Sequence, residues 1–187
     1  MTIGADMADE SLAVLPVVGS LVFIFRSLGL SYQEVNIALI GKQKQNYRLL
    51  RNFAVYMGVA VTVLISILAL TPLADLWFIN ISGLSQELAD LSYLPLKIMI
   101  LLPAFTVLLN YQRSLLLINR TTGPISAAMA VELVSIIVIL LVCVVLLDMT
   151  GVVAAALAFT AGKGISTLCL LPRQSAAVRG WRSQAGR

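Results

Sequence analysis

The stretch "VFIFRSLGLSYQEV", residues 22–35, decides how this chain is read. It begins as apolar sequence and then sets Arg26, Gln33 and Glu34 inside what otherwise reads as a membrane span. The surrounding sequence identifies the solvent. Hydrophobic residues make up 59% of the chain and charged residues 12%, with a mean hydropathy of +0.96. Soluble domains carry roughly 25% charged residues, so a value this low excludes water as the main solvent. Residues 53–70 contain no charge and meet the length of about 18 residues that marks a membrane helix. The expected fold is an all-α, polytopic membrane helix bundle of about five transmembrane helices.

Five spans are expected, at 12–40, 53–71, 94–118, 124–147 and 151–171. Pro72, Pro124, Gly151 and Pro172 punctuate them, because proline lacks the N–H that continues a helix and glycine tolerates turns. Residues 1–172 then form the bundle and 173–187 a basic tail. The first helix would be about 43 Å long at 1.5 Å per residue, more than the ~30 Å hydrocarbon core requires, so it should tilt or protrude.

Basic residues set the direction. Lys42, Lys44, Arg48 and Arg51 fill the first loop, Arg120 the next turn on that side, and Arg173, Arg179, Arg182 and Arg187 the tail. Asp6, Asp9, Glu10, Asp75, Glu87, Asp90 and Asp148 fall on the other side, with Lys97. The expectation is an integral protein of the cell (inner) membrane, N-terminus outside and C-terminus cytoplasmic, with the lipid bilayer as its surroundings. The formal charge of +4 is thus explained by topology, and no nucleic-acid partner is expected. The acidic leader argues against a cleaved signal peptide. On the outer side, Trp77, Phe78 and Tyr93 suit an interfacial aromatic belt. Ser85 followed by Glu87 reads as the capped start of a short surface helix.

Histidine is absent, which removes histidine metal sites, histidine-based nucleophile systems and histidine proton relays. Cys143 and Cys169 sit in apolar runs and read as small buried hydrophobes. The chain has neither a GxxxxGK[ST] nor a GxGxxG sequence, so no glycine loop is expected to cradle phosphate. A membrane-embedded lipid enzyme would need clustered acids or histidines, and the acids here are scattered. The expectation is a non-enzymatic protein without a cofactor or metal.

Ionisable residues inside spans are the candidate site. Counting about 1.5 Å per residue from the basic helix ends, Glu34 lies ~9–10 Å deep, Arg113 ~8–9 Å, and Glu132 and Lys163 ~12–13 Å. Arg26 is near mid-bilayer at ~21 Å. A charge at such depth costs several kcal/mol unless it pairs or faces water. The short turn between the third and fourth helices should let Arg113 reach Glu132, with Lys163 a competing partner. Arg26, Gln33 and Glu34 are spaced as one polar stripe, and Arg26 is expected to face a hydrated cavity or substrate path. Asn110, Tyr111 and Gln112 are candidate lining of that cavity. Two plainer readings stand beside these: Glu34 and Arg113 are shallow enough to snorkel, and Glu132 with Lys163 would serve equally as a structural ion pair. Gly151, Ala155, Gly162 and Ser166 are placed for close helix approach.

The order of features also carries a family resemblance. A helix ending "FRSLGLSYQEV" is followed by a basic loop, a long apolar span and "TPLADLWF". An outer segment then leads into "LPLKIMILLPAFTVLLNYQRSLLLINRTTGPISAAMAVE", and a small-residue helix closes the chain. This resembles the C-terminal half of multidrug and toxic compound extrusion (MATE) transporters and their oligosaccharide-flippase relatives. The resemblance implies spans eight to twelve of about twelve, an incomplete C-terminal lobe of a secondary exporter or flippase, with the N-terminal lobe or a second subunit as the missing partner. It implies an amphiphilic or lipid-linked substrate, alternating access, and drive by Na+ or H+. No coupling residue is carried over. The rival expectation is a small accessory or structural membrane protein that packs against a partner subunit.

Overall fold

The computed structural model describes residues 3–40 and 47–185; Lys42, Lys44 and Arg187 lie outside them. The described residues form helices and turns, without a strand: α1 (Ile3–Ile40), α2 (Tyr47–Leu70), α3 (Leu73–Asp75) continued by a π-helical turn (Leu76–Ile81), α4 (Gln86–Ile98), α5 (Leu102–Ile118), α6 (Gly123–Leu141) with a π-helical end (Val142–Leu146), and α7 (Gly151–Ala185). Five of these stretches are long and apolar enough to cross a membrane: Leu12–Ile40, Tyr47–Leu70, Gln86–Ile118, Gly123–Leu146 and Gly151–Ala176. The chain is an integral membrane helix bundle.

Helix α5 is its centre, packed against α1, α2 and α7, while α6 lies on the outside against α7. The reason is legible along α2. Its buried residues Leu50, Ala54, Gly58, Val61, Ile65 and Ala69 recur every three or four positions, so they form one stripe. Half of them, Ala54, Gly58 and Ala69, are small, which lets backbones approach. The other faces of α2, with Tyr56, Val59 and Val63, are exposed to the surroundings, as lipid-facing residues are. Two apolar clusters mark the two ends of the bundle. Val14, Val18, Ile65, Ala69, Phe78, Ala89, Leu96 and Val152 fill one end. Tyr32, Ile40, Leu50, Ala54, Tyr111 and Leu115, with Val178 packed on them, fill the other.

In lipid, apolar burial gives little drive for one helix to associate with another, so packing and interhelical hydrogen bonds hold the bundle. Asn110 Nδ2 donates to Gly29 O at 2.9 Å, Gln112 Nε2 to Thr167 O at 3.2 Å, and Ser166 Oγ to Ala128 O at 3.2 Å. Tyr111 OH donates to Tyr47 O at 3.2 Å, and Tyr32 OH donates to Leu50 O. Such bonds contribute roughly 0.6 kcal/mol on average and at most about 1.7 kcal/mol. Asn110, Tyr111 and Gln112 are therefore buried ties between helices, which corrects the reading of them as cavity lining. Gly29 is required at its place: a Cβ there would lie 3.1 Å from Val107 N and 3.3 Å from Val107 Cα.

Several boundaries differ from those expected. The third span begins at Ser85, whose side chain accepts from Leu88 N at 3.5 Å, and the capped helix runs on into the membrane through a 3-10 turn (Met99–Leu101). It is not a separate surface helix. The turn has a local cause: Pro103 has no N–H to give the Met99 carbonyl, and Leu102 N–H takes it with the tighter bond. Helix α7 continues through Pro172 to Ala185, so residues 173–185 prolong the last span as helix. Phe78 is fully buried and meets Tyr93 edge-on, centroids 5.9 Å apart, while Tyr93 OH donates to Asp75 and Trp77 Nε1 to Val17 O at 3.4 Å. Phe78 thus closes this end of the bundle, while Trp77 and Tyr93 stay partly exposed beside it. The wide π-helical turn carries Phe78 inward, and Gly83, at φ +69°, ends it. Cys143 is buried as expected, but Cys169 is exposed, because α7 covers only one of its faces.

Candidate functional site

Arg113 on α5, Glu132 on α6 and Lys163 on α7 converge from three helices. Lys163 Nζ lies 2.6 Å from Glu132 Oε1, and Arg113 Nη2 lies 3.6 Å from Glu132 Oε2. The three side chains are only 14–15% exposed. With Met129, Leu133 and Ile136 they line an open cleft of ≈ 270 Å³. The sequence produces this arrangement in three steps. Short connections at 119–122 and 147–150 make α5, α6 and α7 antiparallel neighbours. Residues 129, 132, 133 and 136 then share one face of α6 by helical spacing. Finally Gly162 lets α7 approach that face, since a Cβ on it would sit 2.6 Å from Ile136 Cγ1 and 3.4 Å from the Glu132 carbonyl. Lys163 follows immediately, and its ammonium reaches the carboxylate.

Ser166 fixes the same interface one turn on, through its bond to Ala128 O. Of the other small residues expected there, Ala155 is buried, whereas Gly151 opens α7 and is exposed.

Arg26 is half-buried on α1. Its Nε donates to Thr106 Oγ1 at 3.2 Å, and Thr106 Oγ1 donates in turn to Leu102 O at 2.9 Å. Arg26 interacts electrostatically with Glu132, favourably, and with Lys163, unfavourably. Three cations thus share the field of one carboxylate. That carboxylate does not saturate them: Arg113 Nε is buried and finds no hydrogen-bond partner among the described residues, and neither does Glu132 Oε2 at its longer ion-pair distance.

Glu34 does not join. It is exposed on α1 and makes no ion pair among the described residues. The polar stripe fails for a geometric reason, since eight residues at 3.6 per turn place Glu34 about 80° around the helix from Arg26. Gln33, seven residues on, is half-buried and stays nearer the Arg26 face. Thr106 was not among the expected site residues. The signal for it was its position seven residues before Arg113, on the same face of α5.

What the cluster can do follows from its charge. An ion pair in a low-dielectric layer contributes strongly only when geometry and counter-charge are complete. Here the positive side is in excess, with two cations and one carboxylate lining the cleft. Its volume falls just below the ~300 Å³ at which pockets for drug-sized ligands begin. The class defined by fold and site is a polytopic membrane protein with a cationic intramembrane cleft. Comparison with protein-family models, curated proteins and solved structures gives no match.

Proposed function

We propose that this chain is part of a MATE-like secondary exporter or flippase, moving an amphiphilic or lipid-linked substrate with an anionic headgroup by alternating access. The observation that carries the reading is the intramembrane cluster in which Arg26, Arg113 and Lys163 outnumber Glu132 beside an open cleft. Ionisable groups at such depth mark pathways for substrates or ions, and transporters built from repeats place substrate between their halves. The cleft would then be one wall of the path, and a second lobe or subunit would supply the other. The proposed setting is the inner membrane with the C-terminus cytoplasmic, because the arginine-rich helix ends gather on that side. Drive by Na+ or H+ belongs to the same proposal.

Translocation of fluorescent phosphatidic acid and fluorescent phosphatidylcholine in proteoliposomes that hold this chain together with its second lobe or subunit, with an imposed Na+ or H+ gradient, tests the reading. Faster movement of the anionic lipid is expected, slowed by Arg26→Ala without loss of membrane insertion. Rates equal to those of protein-free liposomes would retire it. The rival reading, an accessory protein packing against a partner subunit, draws on α6, of whose residues Gly123–Leu141 only Ala128 is buried. Co-purification of a distinct subunit in place of lipid movement would favour it.

A further inference from the structure

Resting on that reading of the cleft, we infer that Glu132 is an internal placeholder: its carboxylate occupies the cationic cleft when no ligand is present and competes with the incoming anionic group for Lys163 and Arg113. The geometry differs from that of a closed structural ion pair in three respects. First, the pairing is uneven. One carboxylate oxygen is held at 2.6 Å by Lys163, while the other stands 3.6 Å from Arg113, outside hydrogen-bond range. Second, the arginine keeps an unused donor, since its Nε is buried without a partner among the described residues. Third, these groups line an open cleft of ≈ 270 Å³ and are not sealed in a core.

A guanidinium with a free edge is suited to an oxyanion that bridges two of its donors. A phosphate-type group entering between Arg113 and Lys163 would meet both cations at once, whereas Glu132 holds only one of them tightly. Arg26, anchored through Thr106, adds positive potential without filling the cleft. The anion and the carboxylate are mutually exclusive neighbours, because like charges in a low-dielectric layer repel strongly. Binding therefore includes the work of displacing Glu132. That work keeps affinity moderate, as a path that must release its cargo requires.

The whole chain in phosphatidylcholine nanodiscs, titrated with inorganic phosphate against ionic-strength-matched sodium chloride, provides the test. The readout is the rise in thermal unfolding midpoint, which follows binding to the folded state. A second set of nanodiscs doped with phosphatidic acid asks whether the same phosphate chemistry is taken from a lipid headgroup. Glu132→Gln removes the competitor and is expected to half-saturate at about tenfold lower phosphate, or phosphatidic acid fraction, the equivalent of ~1.4 kcal/mol. Glu132→Asp, which keeps a carboxylate one methylene further from Lys163 and covers the case in which the glutamine variant does not fold, is expected to show a smaller gain of the same sign. Lys163→Gln is expected to lose the response. Saturation in only one of the two arms identifies the source of the phosphate and supports the inference equally. Wild type that saturates together with Glu132 variants that bind no tighter would overturn the placeholder role and leave the anion-binding cleft standing. If neither wild type nor variants saturate in either arm, both readings fall.

Discussion

Lys163 Nζ lies 2.6 Å from Glu132 Oε1, closer than any guanidinium nitrogen of Arg113 comes to the same carboxylate. The contact spans two helices whose backbones meet at Gly162. It follows that the site and the α6–α7 seam are one structural unit: whatever separates the helices also separates the charges.

The first prediction concerns the order of losses in the charge cluster. Removing Glu132 leaves Arg113 and Lys163 facing each other in a poorly solvated layer, whereas removing either cation leaves the carboxylate one partner. Breaking a buried pair from one side costs roughly 3–5 kcal/mol, and Glu132→Leu should fall in that range. Lys163→Met should cost less, about 1–3 kcal/mol, and Arg113→Met least, in keeping with their pairing distances. Thermal unfolding in detergent gives the ranking. An equal loss for Glu132→Leu and Arg113→Met would show that the cluster is solvated and uncoupled.

The second concerns the seam. Gly162→Ala places a Cβ 2.6 Å from Ile136 Cγ1, an overlap that should destabilise by about 1–3 kcal/mol. Ile136→Ala clears the space, so the two substitutions together should be less harmful than the sum of the single effects. A double-mutant cycle reads that coupling directly. Additive losses would mean that α7 shifts on its own and that Gly162 does not set the approach.

The third is a stabilisation. Arg120 follows α5 at φ 56°. Thr121 N–H donates to Leu116 O at 3.0 Å and Arg120 N–H to Leu117 O at 2.9 Å, the paired bonds of a Schellman cap. The left-handed conformation costs a side chain with a Cβ roughly 1–2 kcal/mol, so Arg120→Gly should raise stability by up to ~1 kcal/mol after the greater chain entropy of glycine is counted. A lower unfolding midpoint would show that the arginine side chain contributes more at this end than the strained backbone costs.

The sequence by itself determined the solvent, the number of long apolar helices and the position of each ionisable residue along its helix. These depend on local composition and on a fixed rise per residue, so they need no knowledge of neighbours. The same local logic found the Ser85 cap and the layer holding Arg113, Glu132 and Lys163. What only the tertiary structure decided was direction around each helix axis. Depth put Glu34 level with that layer, yet its azimuth leaves it exposed, while Thr106 turns toward Arg26. Asn110 and Gln112 likewise turn into interhelical contacts. Azimuth follows from which small residues let two backbones meet, at Gly29 against Val107 and at Gly162 against Ile136. Those are pairings between distant parts of the chain, and no local pattern contains them.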